Sequence, residues 1–147
     1  MAHPESAMMK SPDSGRISGL PLIMCVDDDP TVLEVLEEYL TQSGFRVICE
    51  SDTHRAKQLL AVTEIDAVIL DYEMPGCNGL ELSKAIYQTK PHLPILMFSG
   101  TLLPPDALTC ISSFVAKNQG DLALVSALKR ELMRTSIRRQ HDGSQHR

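Results

Sequence analysis

The chain has 147 residues, a formal net charge of −5 and 43% hydrophobic residues. This length suits one domain with a buried core. The acidic balance disfavours nucleic acid as a partner, because phosphate binding requires a net basic surface. The apolar stretch over 20–26 is short and runs into three aspartates, so it indicates neither a signal peptide nor a membrane span.

The four cysteines lie far apart in the sequence and form no C-x-x-C pair. Cys25 and Cys49 fall inside apolar, strand-like runs, where a free thiol packs as a small hydrophobic group. This usage is typical of reduced thiols and predicts a cytoplasmic protein. The five histidines are scattered and suggest no metal site.

Both ends of the chain lack hydrophobic periodicity. Residues 1–19 are rich in Ser, Pro and Gly, and we expect a disordered leader. From Thr135 onward the chain is polar and basic, so 136–147 is predicted to be a flexible tail rather than a nucleic-acid-binding arm. A single domain is therefore predicted over 20–135.

Between these ends, short apolar runs alternate with helical patterns. After the first run, Asp29 suits a helix N-cap, Pro30 the first helical turn and Gly44 the C-terminal stop. Further helices are predicted at about 53–62, 79–89 and 119–134. Strands are predicted at about 22–26, 45–49, 66–70, 94–98 and 112–116.

Alternating strands and helices, with strands that are apolar almost throughout, predict a parallel sheet covered on both faces. Five strands and five helical segments make a small doubly wound α/β domain. Ligands in such folds bind beyond the carboxyl ends of the strands. Polar side chains follow four of the predicted strands at this edge: Asp27, Asp28 and Asp29 after the first, Asp71 after the third, Ser99 at the fourth and Lys117 after the fifth.

The crowded carboxylates would repel one another unless a cation lies among them. Oxygen ligands without a suitable His or Cys favour a hard cation, magnesium. A metal-bound carboxylate beside Lys117 and the Ser99 hydroxyl would be arranged to attack a phosphoryl group. Taken singly, each residue also has a structural interpretation, such as Asp71 as a loop acid.

Four motifs resemble the receiver domain of two-component response regulators, over about Leu20 to Thr135. "CVDDDP" resembles the family's acidic doublet, and "LDYEMPGCNG" resembles its phosphoacceptor loop. "ILMFSG" and "FVAK" resemble the strands that carry the switch hydroxyl and the phosphate-binding lysine. The resemblance implies a flavodoxin-like sheet with strand order 2-1-3-4-5 and helices on both faces.

The resemblance also implies a role for each matching residue. The implied roles are Asp71 as phosphoacceptor; Asp27, Asp28, Asp71 and the Glu73 backbone carbonyl as Mg²⁺ ligands; Ser99 as switch hydroxyl; Phe114 as switch aromatic; and Lys117 as phosphate-binding lysine. In the family, the side chain two residues after the phosphoacceptor lies beside the phosphoryl group, and here that side chain is the acid Glu73. It would either repel that group or position a hydrolytic water, and both alternatives stay open.

Two further features depart from the family. Asn118 follows Lys117 where the family usually has a proline with a cis bond, which leaves the aim of the lysine open. Ser99 and Lys117 are only 18 positions apart, about one helical turn less than usual. The intervening segment holds two adjacent prolines, so the fourth helix should be short, shifted or irregular.

The implied function is a monomeric, single-domain receiver. It accepts a phosphoryl group from a histidine kinase or phosphotransfer protein onto Asp71 and signals to a downstream protein. We expect no enzymatic role beyond self-catalysed acceptance and slow autodephosphorylation, and neither nucleic acid nor membrane as a partner. The dozen residues after the predicted last helix are too few for an output domain.

Other functions fit less well. A pseudo-receiver, acting as a phosphate-independent interaction module, is favoured by Asn118 and the short fourth-helix segment but disfavoured by the full acid set. A phosphatase with an aspartyl nucleophile would need an Asp-x-Asp pair, whereas Glu73 stands two residues after Asp71. A flavin-binding fold would need a Ser/Thr/Gly-rich phosphate loop after the first strand, where this chain has three aspartates.

Overall fold

The computed structural model describes residues 19–74 and 78–145, and the side chains among them as far as 138. The predicted leader lies outside the described residues except for Gly19. The strands are β1 (Leu22–Val26), β2 (Arg46–Glu50), β3 (Ala67–Leu70), β4 (Ile95–Ser99) and β5 (Ser113–Ala116). The α-helices are α1 (Pro30–Gln42), α2 (Thr53–Val62), α3 (Gly79–Thr89) and α4 (Asp121–Gln145).

The five strands form one parallel sheet in the order β2-β1-β3-β4-β5, which confirms the predicted topology. β1, β3 and β4 are buried along their whole lengths, because helices cover both faces of the sheet. The edge strands β2 and β5 are largely half-buried. Since all strands run the same way, their carboxyl ends meet at one edge.

The core consists of two apolar layers, one on each face of the sheet. Successive residues of β1 alternate between them: Ile23 and Cys25 belong to one layer, Met24 and Val26 to the other. Side chains of α1 and α4 complete the first layer. Side chains of α2 and α3 complete the second.

The ends of α1 follow the predicted signals. Asp29 is the N-cap, and its side chain accepts a hydrogen bond from the Thr31 amide at 3.0 Å. Pro30 occupies the first turn, where its missing N–H is not needed. Gly44 has a φ of +100°, a conformation that a residue with a Cβ rarely adopts.

The segment between β4 and β5 contains no α-helix. A 3₁₀ turn over Pro105–Leu108 stands there instead, which confirms the expected irregular fourth helix. Pro104 is extended, with φ −68° and ψ 156°, because the following proline disfavours the helical conformation at its neighbour. Ala107 is buried, whereas Leu102 is 88% exposed. The segment thus has one buried anchor in its short turn.

The last helix differs from the prediction at both ends. It begins at Asp121 rather than near 119, because Lys117–Gln119 forms a separate 3₁₀ turn that ends at Gly120, with φ +93°. It continues to Gln145 rather than ending at 134, since its polar residues suit a solvent-facing helix and no proline interrupts them. The predicted domain limit at 135 stays a prediction. Neither α4 nor any other described helix is long and apolar enough to cross a membrane.

Gly79 begins α3 where the chain passes close to Asp71. A Cβ at Gly79 would lie 2.3 Å from the Asp71 carbonyl oxygen and 2.9 Å from the Tyr72 Cα. Since these backbone atoms have little room to move, Gly79→Ala should lower the free energy of unfolding by about 1–3 kcal/mol. Urea denaturation measures this change. Gly100→Ala is the control, because a Cβ there meets nothing within 4 Å; equal losses in both variants would contradict the explanation.

Candidate functional site

The polar residues predicted at the strand ends do meet at the carboxyl edge of the sheet. Asp27 directly follows β1 and Asp71 directly follows β3, two strands that are neighbours in the sheet. Ser99 is the last residue of β4, and Lys117 begins the 3₁₀ turn after β5. The parallel topology alone brings these side chains to one edge.

Asp27, Asp28 and Asp71 form an acidic triad. One carboxylate oxygen from each lies within 4.8 Å of the others, and in the described part of the chain no other three Asp, Glu, His or Cys side chains cluster in this way. Asp27 and Asp71 are buried, whereas Asp28 is exposed. Three anionic oxygens at this spacing suit a hard divalent cation such as Mg²⁺.

Lys117 connects two members of the acidic triad. Its Nζ lies 3.2 Å from Asp27 Oδ2 and 3.3 Å from Asp71 Oδ1. The lysine also stands over the Phe98 ring, with 6.0 Å between Nζ and the ring centroid. The peptide bond before Asn118 is trans, since no described residue has a cis peptide bond. Lys117 therefore reaches both carboxylates without the proline that usually follows it in the family.

The electrostatics of the site favour an added positive charge. Burial raises the pKa of Asp71, and the neighbouring Asp27 carboxylate raises it further, against the lowering effect of Lys117. Burial alone would lower the pKa of Lys117, but its bonds to Asp27 and Asp71 raise it overall. Lys117 thus stays charged yet leaves the repulsion between the acids partly uncompensated.

Backbone contacts fix the two buried carboxylates. Asp27 Oδ1 accepts a hydrogen bond from the Asp29 amide at 2.9 Å, which orients the Asp27 side chain. The Asp71 amide donates to the Val26 carbonyl at 3.0 Å, which extends the ladder between β1 and β3 to the site. The positions of Asp27 and Asp71 therefore depend on the same pair of strands.

Ser99 is buried, and its hydroxyl contacts the loop that follows β4. Ser99 Oγ accepts a hydrogen bond from the Thr101 amide at 3.1 Å and lies 3.2 Å from Thr101 Oγ1. The sequence prediction missed Thr101. The sequence pattern that could have predicted it is a hydroxyl residue two positions after a serine at a strand end. At this spacing a serine side chain often accepts a hydrogen bond from the amide two residues on.

Two predicted site residues, Phe114 and Glu73, have no side-chain bond to the acidic triad in the described part of the chain. Phe114 is half-buried and packs with Leu103 and Ile111 against the second core layer. Glu73 is exposed, and among the described residues its side chain makes no hydrogen bond or ion pair with the triad. The role predicted for Phe114 therefore requires a conformational change. The metal-binding role predicted for Glu73 requires its backbone carbonyl rather than its side chain.

Residues 23–129 match the family model of the response regulator receiver domain. The putative two-component response regulator ARR21 of Arabidopsis thaliana is 41% identical over 60% of this chain and 15% of its own length. The regulatory protein VirG of Agrobacterium fabrum is 28% identical over 86% of this chain and 53% of its own length. The chain thus spans about half or less of the curated relatives named here.

Solved structures show the same fold. The response regulator TrrA of Thermotoga maritima, in complex with Mg²⁺ and BeF, superposes with a TM-score of 0.73 at 27% identity, over 76% of this chain and 99% of TrrA. TrrA bound to the histidine kinase ThkA gives a TM-score of 0.72 at 27% identity, over 77% and 99% of the two chains.

Asp71→Asn should stabilise the metal-free protein at pH 7. Because folding raises the pKa of Asp71, its ionisation costs stability as the pH rises above the unfolded value of 3.8. Asn removes this cost, so the gain should be present at pH 7 and vanish below pH 3.8. Urea unfolding in EDTA at both pH values measures it. Asp106→Asn, at an exposed acid outside the triad, should give no such gain; a wild-type protein that is more stable than Asp71→Asn at pH 7 would contradict the explanation.

Proposed function

Because the chain belongs to the response regulator receiver domain family, we propose that it accepts a phosphoryl group on Asp71 in a Mg²⁺-dependent reaction. The observation that carries this proposal is the pairing of Lys117 with both Asp27 and Asp71, at 3.2 and 3.3 Å. It joins a buried carboxylate, a cation and an acidic neighbour at the open edge of a parallel sheet. Asp71 is the buried acid that follows the central strand β3.

The chemistry assigned to Asp71 is nucleophilic. One of its carboxylate oxygens bonds to phosphorus while the bond between phosphorus and the donor's histidine nitrogen breaks. The transferred group carries negative charge on its other oxygens, which needs compensation at close range. Lys117 supplies one positive charge and is already placed against Asp71. The lysine is expected to exchange a carboxylate contact for a phosphoryl oxygen.

The acidic triad fits Mg²⁺ by its donor chemistry. Three carboxylates and the Lys117 ammonium leave a formal charge of −2 at the site, which one divalent cation balances. Asp27, Asp28 and Asp71 would hold the ion, with the Glu73 backbone carbonyl as a further proposed ligand. When bound, Mg²⁺ supplies charge stabilisation for the phosphoryl oxygens.

We also propose that Ser99 carries the signal away from Asp71. A phosphoryl oxygen would compete for the Ser99 hydroxyl, which now contacts the Thr101 amide and hydroxyl. Loss of these bonds would free the start of the 100–113 segment. Phe114 packs against the same core layer as Leu103 and Ile111 of that segment, so it would then be able to repack.

The proposed phosphoryl donor is a histidine kinase or a phosphotransfer protein. The similarity to TrrA, which forms a complex with the kinase ThkA, supports this class of donor. We propose a cytoplasmic monomer that signals through a downstream protein and does not bind nucleic acid. Catalysis is limited to self-phosphorylation and slow autodephosphorylation.

The second candidate is a pseudo-receiver, a module that binds its partner regardless of phosphate. It is favoured by the segment between β4 and β5, where the 3₁₀ turn Pro105–Leu108 stands in place of an α-helix. That turn offers little regular surface to remodel. The contacts of Lys117 favour the phosphorylated receiver. The following experiment separates the two.

Incubation with acetyl phosphate and Mg²⁺ should add one phosphoryl group to the wild-type protein, and none to Asp71→Asn. The Asn side chain keeps the shape of the residue but has no nucleophilic carboxylate. A phosphate-affinity gel separates the two forms. Asp106→Asn should be phosphorylated like the wild type. An unmodified wild type would favour the pseudo-receiver, and base-labile phosphate on Asp71→Asn would place the acceptor elsewhere.

Asp28→Ala should weaken Mg²⁺ binding at least about tenfold, since a lost carboxylate ligand removes both a donor oxygen and a charge. Because Asp28 is exposed, its replacement by Ala should change the free energy of unfolding little. Titration calorimetry measures the affinity, because the chain has no Trp to report binding. Asp29→Asn is the control: it removes a neighbouring charge and keeps an N-cap acceptor. Equal Mg²⁺ affinity in Asp28→Ala and wild type would disprove the proposed ligand set.

Beryllofluoride, a phosphoryl mimic, should change hydrogen exchange mainly in residues 100–113. In the unmodified protein these amides should exchange fast, because a 3₁₀ turn with one buried residue opens at low cost. Ser99→Ala should lose the coupling between Asp71 and the segment while it still binds the mimic. Strong protection of 103–111 before the mimic is added, or an unchanged response in Ser99→Ala, would contradict the proposed route.

A further inference from the structure

Cys25 and Cys49 form a pair of thiols just below the acidic triad. They are register partners on the neighbouring parallel strands β1 and β2, so their side chains lie on the same face of the sheet. Paired strands lie about 4.7–4.9 Å apart, which is inside the Cα separation of about 4.4–6.8 Å that a disulfide needs. Both thiols are free in this structure.

The two thiols differ in access to solvent. Cys25 is fully buried in the core layer beneath α1. Cys49 lies on the edge strand and is half-buried, with its Sγ 3.6 Å from the Leu33 carbonyl oxygen. A hydrogen bond from the Cys25 thiol lowers the pKa of Cys49 from its ordinary value. Cys49 is thus the sulfur that an oxidant reaches, and Cys25 is the sulfur next to it.

We propose that Cys25 and Cys49 are a modification site that hydroperoxides convert into a reversible intramolecular disulfide. The Cys49 sulfur attacks the O–O bond of hydrogen peroxide and becomes a sulfenic acid, with release of one water. The Cys25 sulfur then bonds to the Cys49 sulfur, the S–O bond breaks, and the hydroxyl leaves as a second water with the proton of Cys25. The two thiols lose two electrons and two protons, and the peroxide is reduced to water.

The disulfide would also disturb the acidic triad. Cys25 lies two residues before Asp27, whose amide donates to the Glu50 carbonyl at 3.3 Å at the end of the same strand pair. Disulfides most often span a Cα separation of about 5.5–6 Å, which is wider than the strand spacing, so the S–S bond would push β1 and β2 apart at this register and shift Asp27 relative to Asp71. Because Mg²⁺ demands near-ideal geometry, the oxidised protein should bind it more weakly. This consequence rests on the proposed function, whereas the disulfide itself does not.

The test uses the full chain with Cys77→Ser and Cys110→Ser, which leaves only the proposed pair. After treatment with hydrogen peroxide, the protein is quenched in urea with N-ethylmaleimide and its mass is measured. We expect the loss of two hydrogens, no maleimide addition, and one cross-linked peptide that contains Cys25 and Cys49. Dithiothreitol should restore two reactive thiols. The same protein with Cys49→Ala should keep Cys25 reactive, because the accessible sulfur is gone.

Three outcomes would overturn the disulfide: two thiols that still react after peroxide, sulfinic acid on Cys49 beside a reactive Cys25, or a bridge between two chains. Mg²⁺ titration of the reduced and oxidised forms tests the consequence. Equal affinities in the two forms would disprove the coupling to the acidic triad. A reduced form that does not bind Mg²⁺ would instead contradict the proposed metal site, and the peptide map would still decide the disulfide.

Discussion

The contact of Lys117 with Asp27 and Asp71 is the interaction on which the site depends. The two acids follow β1 and β3, whereas the lysine follows β5, two strands further along the sheet. Asp27 and Lys117 are 90 positions apart in sequence. Such a contact forms only when every strand between them is in register. The geometry of the site therefore depends on the pairing of β1, β3, β4 and β5. A shift of one residue in β3 or β5 would turn its terminal side chain to the other face.

The same contact neutralises only part of the negative charge at the site. One ammonium opposes three carboxylates, and the raised pKa of Asp71 shows that burial and repulsion outweigh the lysine. A site of this kind gains stability when a cation arrives and can then accept an anionic group. The cost of crowded acids is borne in the free protein, and binding relieves it. The neighbouring Ser99 hydroxyl, bonded to Thr101, connects this balance to the short segment between β4 and β5.

Much of this architecture could be predicted from local sequence signals. The strand positions followed from apolar runs, the parallel sheet from their alternation with helices, and the ends of α1 from Asp29, Pro30 and Gly44. The meeting of the strand-end residues followed from topology alone. The irregular segment after β4 followed from its length and its prolines.

Other features depend on contacts that no local pattern reveals. The reach of Lys117 despite Asn118, the bond of Ser99 to Thr101 and the pairing of Cys25 with Cys49 appear only once strand register is known. The continuation of α4 was missed because its polar residues predict exposure, and an exposed segment is as readily helical as irregular.

The most direct test of the proposed receiver is a crystal structure of the protein with Mg²⁺ and beryllofluoride. We expect the beryllium bonded to an Asp71 carboxylate oxygen, Mg²⁺ at Asp27, Asp28 and Asp71, and Lys117 Nζ in contact with a fluorine. We also expect that Ser99 has left the Thr101 amide. Beryllofluoride bound away from Asp71, or a Lys117 that keeps only its present contacts to Asp27 and Asp71, would contradict the proposed phosphoacceptor site.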